Sequence, residues 1–171
     1  MSLVDSPRAI QHVAIVFAVL GLTFTATAQI SSSLDGLTGT WTLNLVKSTY
    51  EAGPPPYKRS ICKIQSWPVG SNVGLKVIYD NVRIRGGVSH IEWVGKLDGN
   101  DYPIEGVDDF LTNAYTRIDE RTYDVVVKSD GVKVATARIV IAPDGKTLTS
   151  ITSTRNVQGQ ILKTTAVYDR Q

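Results

Sequence analysis

From Trp41 onward, apolar residues recur at every second position. Trp41, Leu43 and Leu45 alternate with Thr42 and Asn44; Val73, Leu75, Val77 and Tyr79 share one face of a later run; Ile91, Trp93 and Leu97 share another, with Gly95 between them. Neighbouring side chains of an extended chain point to opposite faces, so this period marks strands with one buried face. "TYDVVVK" at 122–128 and "VATARIVIA" at 134–142 add β-branched residues, which favour the same conformation. Helical spacing is not sustained anywhere beyond residue 29. The segment 107–114, "VDDFLTNA", is the one place where a short helix is expected, with Asp108 as its cap. Punctuation agrees with strands. "LDGN" at 97–100, "SDGV" at 129–132 and "PDGK" at 143–146 each set Asp-Gly between apolar runs, a pairing suited to tight hairpins. "QGQ" at 158–160 and the glycines of "RIRGG" at 83–87 are further turns. The apolar phase is odd from Val73 to Tyr79 and even at Val82 and Ile84, which predicts a bulge or break at Asp80-Asn81.

Roughly eight to ten short strands joined by hairpins make an antiparallel up-and-down meander. Such a meander hides its edges by closing into a barrel. A membrane-spanning barrel would turn apolar residues and aromatic girdles outward. Here the outward alternates are Thr, Lys, Arg and Asn, which favours a barrel surrounded by water.

The first residues read differently. A weakly basic start, the uncharged run "VAIVFAVLGLTF" and the small residues "ATA" at 26–28 have the order of a secretory signal peptide. An uncleaved anchor is the other reading, but the run is short of the roughly 20 residues a spanning helix needs. The expected organisation is a signal peptide over 1–28, a flexible Ser-rich leader over 29–38 and a barrel domain over 39–171, exported to the periplasm or beyond the cell. No transmembrane segment is then expected in the mature chain.

A formal net charge of +2 points to no particular partner, and the basic residues are scattered rather than striped, so nucleic acid binding is not expected. The one cysteine, Cys62, cannot form an internal disulfide and reads as a small buried residue.

Taken together, "GTWTLNLVKSTYEAGPPP", "KLDGNDYPIEG", "APDGKTLT" and "AVYDR", in that order, resemble small secreted bacterial proteins with barrels of the lipocalin, or calycin, type. In that group a Gly-x-Trp on the first strand seats its indole at the closed end, with a late basic residue across the ring. The resemblance implies that Trp41 plugs one end under Arg170, with Arg155 as the alternative partner. It also implies that the connection 46–59, with Pro54 to Pro56 bracketed by Tyr50 and Tyr57, folds over the mouth; a plain surface connector is the other reading. The Thr-Asp-Tyr element of many lipocalins is absent, and so is their disulfide.

Catalytic parts are scarce. His90 is the only histidine beyond the signal segment, which rules out a zinc site with three His ligands there. His90 and Glu92 share a strand face and suit a general base with its orienting carboxylate, or, the favoured reading, a solvated pair opposite Arg83. A Cys62–His90 dyad would need both residues inside, against Trp93. Asp98, Asp101, Asp108 and Asp109 lack the spacing of a calcium loop, and Asp108 and Asp109 read as turn formers before a strand. No cofactor and no metal are expected. What remains is the barrel interior, where Leu75, Val77, Tyr79, Trp93 and Tyr115 are the expected lining. The function that follows is binding of a small, mostly apolar molecule; a filled barrel serving as a structural or interaction module is the alternative, and an enzyme the less favoured one.

Overall fold

The computed structural model describes Leu34 and residues 36–171. The proposed signal peptide and most of the leader lie outside the described residues. Eleven strands follow one another: β1 (Gly39–Leu43), β2 (Thr49–Tyr50), β3 (Tyr57–Val69), β4 (Asn72–Arg83), β5 (Val88–Gly95), β6 (Tyr102–Glu105), β7 (Leu111–Arg117), β8 (Thr122–Ser129), β9 (Val132–Ile141), β10 (Thr147–Arg155) and β11 (Ile161–Arg170). From β3 to β11 each strand pairs antiparallel with the next, and β1 pairs with both β3 and β11. The meander therefore closes into a barrel of ten strands, while the short β2 docks beside β1 on the edge of β11. Among the described residues no helix is long and apolar enough to cross a membrane, which says nothing about strands.

The turn chemistry is clearest between β8 and β9. Asp130 and Gly131 both adopt positive φ, 48° and 78°, the backbone of a two-residue hairpin whose twist matches its strands. Asp-Gly at 98–99 does not make such a turn. Asp98 accepts from the Asn100 backbone N–H and bridges to Thr116, so β5 and β6 are joined by a longer loop.

Three local expectations are corrected. The segment 107–114 is not helical: a bend leads into β7, because Leu111 to Arg117 find full partners on β8 and helical spacing never supplied a buried stripe. Nor does β4 break at Asp80-Asn81. Its register with β5 runs unshifted from Leu75↔Gly95 to Val82↔Val88, and the irregularity lies on the other side, in β3 between Tyr57 and Arg59. The inward phase simply continues through a polar residue, with Asn81 buried and Val82 turned outward. The leader, finally, is not free along its whole length. Leu34 and Leu37 are buried in the core, and the Leu37 and Thr38 amides turn back onto the Leu34 carbonyl.

That turn forms the floor of the barrel with the first and last strands. Trp41 is wholly buried, and its Nε1 donates to the Leu37 carbonyl at 3.0 Å. The Arg170 guanidinium lies 4.3 Å over the indole. It donates through Nη1 to Thr38 O, through Nη2 to Gly36 O and through Nε to Gly145 O. One side chain thus ties together the entering turn, the first strand and the β9–β10 hairpin. Gly39 is required here: its φ is +142°, and a Cβ would sit 2.8 Å from Arg170 Nη1. Arg155 lies at the opposite end, donating to Gly159 O.

Arg170→Ala is expected to lower stability by about 2 kcal/mol, through lost charge-assisted hydrogen bonds to carbonyls and lost cation–π contact. Arg170→Lys should recover less than half of that, because an ammonium cannot fork to three carbonyls. Urea unfolding should show a lower midpoint with an unchanged slope; an unchanged midpoint would remove the clamp from the account of closure.

Candidate functional site: the barrel interior

Cross-strand partners share a face, so the register identifies the inward set. Trp41 faces Cys62, Cys62 faces Tyr79, Ile64 faces Val77, Val77 faces Trp93, and Tyr115 faces Val125. All five expected lining residues belong to this set. Leu75, Val77, Trp93 and Tyr115 are buried, and Tyr79 is half-buried against them. Trp93 packs on Tyr115 with ring centroids 4.3 Å apart and meets Tyr102 edge-on at 5.9 Å. Its Nε1 donates to the Asn113 carbonyl at 3.2 Å. Gly95 makes this stack possible, since a Cβ there would collide with both the indole and the Tyr102 ring. The groove on the outer wall crossed by the Arg138–Asp124 ion pair is lined by none of the five expected residues.

The strand directions divide the interior into two halves. β1 starts and β11 ends at the floor, so β3, β5, β7 and β9 start at the opposite end, where β4, β8 and β10 finish. Ser60, Asn81, Ser89 and Asn113, all on the inward phase, stand near that opposite end. Asn81 Nδ2 donates to Ser89 Oγ at 3.3 Å. Ser60 Oγ, Asn81 Oδ1 and Asn113 Oδ1 are buried without a hydrogen-bond partner among the described residues. Sequence reasoning missed these residues. Carrying the period of two through Tyr79 to Asn81, and back from Ile64 through Cys62 to Ser60, would have placed the first two.

Between floor and polar end stand Cys62, Tyr79, Tyr115 and Tyr168. Burial pushes the Cys62 thiol up to about 12. The nearby thiol first, and burial second, raise the Tyr79 phenol well above its ordinary value; burial first, and Cys62 second, raise Tyr115 and Tyr168. Ser60 faces the Tyr168 hydroxyl and offsets part of its rise, without the alignment of a full hydrogen bond. The cluster is polar and electrically neutral, and a protonated thiol is a poor nucleophile.

The wall has one irregular seam. β1 pairs with β3 only as far as Thr42↔Ile61 and with β11 only as far as Leu43↔Tyr168. Beyond that, Ser48 stitches the gap: its hydroxyl donates to Asn44 O and accepts from the Val167 amide. β2 then rejoins β11, and the exposed segment 51–56 crosses to β3 with Tyr50 and Tyr57 at its ends.

The other candidate groups lie elsewhere. His90 points outward; its Nδ1 meets Asp80 at 2.7 Å and its Nε2 meets Glu92 at 3.1 Å. Lys76 pairs with Glu92 and Lys63 with Asp80, so the partner directly across from His90 is Asp80 rather than the expected Arg83. Cys62 faces the interior, on the opposite side of the wall, and no dyad forms. Asp98 accepts from the Tyr102 hydroxyl, Asp101 pairs with Lys128, and among the described residues no group of three or more His, Cys, Asp or Glu side chains is placed to hold a metal. Compared with protein-family models, curated proteins and solved structures, the chain matches none.

The hydrogen bonds that His90 donates to Asp80, first, and to Glu92 raise its imidazole above 6.5. A raised folded value means that this network stabilises the fold at pH below the unfolded imidazole value and loses that contribution as pH rises through the folded one. An NMR titration should find His90 above 6.5, and Asp80→Asn should bring it back toward that value. A native value at or below it would show that the network does not form in solution.

Proposed function

We propose that this chain is an exported, lipocalin-like binding protein that holds a small, mostly apolar molecule inside its barrel, in contact with Leu75, Val77, Tyr79, Trp93 and Tyr115. The observation that carries this reading is the set of buried, unpartnered polar atoms on Ser60, Asn81 and Asn113, set beyond an aromatic stack. A buried acceptor left unpaired costs about 1–3 kcal/mol, so three of them on one inner surface are poorly explained by packing alone. They are well suited to a guest that brings its own polar end. The "GTW" start and the Arg170–Trp41 contact support the lipocalin-like part of the reading. Export is supported by the order of charge, apolar run and small residues over 1–28.

A filled barrel used as a structural module is the second reading. It is favoured by the close packing of Trp93 against Tyr115 and Tyr102, which occupies the middle of the interior.

Native mass spectrometry of protein purified from its own source separates the two. A retained small molecule, lost on denaturation and reduced in Trp93→Ala, is the expected outcome. A bare chain in every preparation, together with no heat of binding from any apolar compound offered, would sink the binding reading in favour of the filled barrel.

A further inference from the structure

The interior is polar at one end but carries no charge there. Apart from the thiol and the phenols, whose raised values keep them protonated, the buried polar residues are Ser60 and Asn81, and neither ionises. The arginines of the inward phase, Arg170 and Arg117, both stand at the far end: Arg170 is committed to three carbonyls and the face of Trp41, and Arg117 donates to Asp119 O. Of the basic residues on the strand ends around the polar end, Lys58, Arg59, Arg83, Lys133, Arg155 and Lys163 are exposed, and Lys128 is paired with Asp101. The unpartnered side-chain groups include two amide oxygens, Asn81 Oδ1 and Asn113 Oδ1, which only accept, and the Ser60 hydroxyl, which does either.

We propose that the barrel selects an uncharged guest whose polar end carries hydrogen-bond donors, a hydroxyl or an amide N–H, and discriminates against the carboxylate of the same length. This rests on the binding reading above and adds the chemical class. A carboxylate entering this interior would lose its water with no cation facing it, a cost of several kcal/mol in protein interiors. It would also set its own lone pairs against the two amide oxygens. An alcohol or primary amide supplies the missing donors and brings no charge. The phenols and thiol already inside report the same preference, since each is held in its protonated form.

Selectivity of this kind separates from stability. Replacing an unpaired buried acceptor with an apolar group of similar shape is neutral or stabilising for the fold. Asn113→Leu should therefore melt at or above the temperature of the native chain, Asn81→Leu, which also loses its hydrogen bond to Ser89, slightly below it, and both should lose preference for the donor-bearing guest.

The test is calorimetric titration of the full chain with decan-1-ol, decanamide and decanoate. At about pH 7.5, where the carboxylate is ionised, the alcohol and the amide should bind at least about tenfold more tightly than the acid, and the acid should tighten as the pH is lowered toward its own pKa. In Asn113→Leu the gap between amide and acid should shrink, with Asn81→Leu as the second variant. Equal or tighter binding of decanoate at that pH would overturn the ligand class and leave the interior-binding reading standing. If none of the three binds, the ligand class falls, and the mass-spectrometric result decides whether the binding reading falls with it. An unchanged gap in both variants would remove the asparagines from the selection.

Discussion

Closure of this barrel depends on a short junction of three registered pairs, extended at its ends by the Asn44 amide on Val167 O and the Gln171 amide on Thr40 O. β1 and β11 meet through Trp41↔Arg170, Thr42↔Asp169 and Leu43↔Tyr168, and without those pairs the sheet has two free edges. So short a ladder is weak by backbone hydrogen bonds alone. It is reinforced on both faces. Inside, Arg170 caps the indole and gathers carbonyls from Gly36, Thr38 and Gly145. Outside, Asp169 accepts from Asn44 at 2.6 Å and from Lys47 at 2.9 Å. The Asp169 carboxyl is held below its ordinary value by those two donors, Asn44 foremost, so the outer brace is present in the ionised state. The penultimate residue of the chain therefore fixes the first strand, and the floor of the barrel exists only once both ends of the domain are in place. Contacts this distant in sequence form late and slow folding.

Much of this was legible in the amino-acid order because a half-buried strand writes its period directly into the chain. The alternation around Trp41, Val77 and Trp93 places those side chains inside, and the Asp130-Gly131 turn joins the strands that flank it. The reading failed where polarity was taken as a sign of direction. Asn81 is polar and inward; Val82 and Ile84 are apolar and point away, so the apparent change of phase was a change of residue type on an unbroken strand. Local signals also cannot report on distant partners. Nothing near Leu34 or Leu37 in sequence announces that an indole nitrogen will need the Leu37 carbonyl. Nothing near His90 says that Asp80 rather than Arg83 will stand across from it, since that depends on hairpin register.

The two faces of the wall treat charge in opposite ways, and this is what gives the interior its chemical character. Outside, Lys63, Asp80, His90, Glu92 and Lys76 form a continuous network across three strands, where water screens it and each pair contributes little. Inside, the same three strands present Ser60, Cys62, Tyr79, Asn81 and Ser89, all capable of hydrogen bonding and none charged. Because successive residues alternate between faces, one stretch of β4, from Lys76 to Asn81, builds both surfaces at once. A shift of register by a single residue would put Asp80 inside and Asn81 out, exchanging a neutral lining for an acidic one.

The floor and the seam together constrain how anything could reach that lining. At the floor, Leu34, Leu37 and Trp41 are buried, and Arg170 lies over the indole, so that end is sealed by packed apolar groups. The seam beyond Leu43 is held differently. Its continuity rests on the Asn44 amide donating to Val167 O, on the Ser48 hydroxyl, on a two-residue strand and on the Glu51 amide donating to Lys163 O, with an exposed run through Pro54 to Pro56, whose Pro56 carbonyl accepts from Ile84, completing the span. Prolines donate no backbone hydrogen bonds, so this part of the wall resists opening less than a full ladder would. It also lies beside the neutral polar groups, because Tyr57, where the run enters β3, stands three residues from Ser60 on the same strand. This lightly cross-braced part of the barrel thus adjoins the part of the interior whose hydrogen-bonding groups lack partners. In a solid core that coincidence would be costly twice over, in unmade hydrogen bonds and in a weak wall. In a barrel that admits a guest, both features serve the same event.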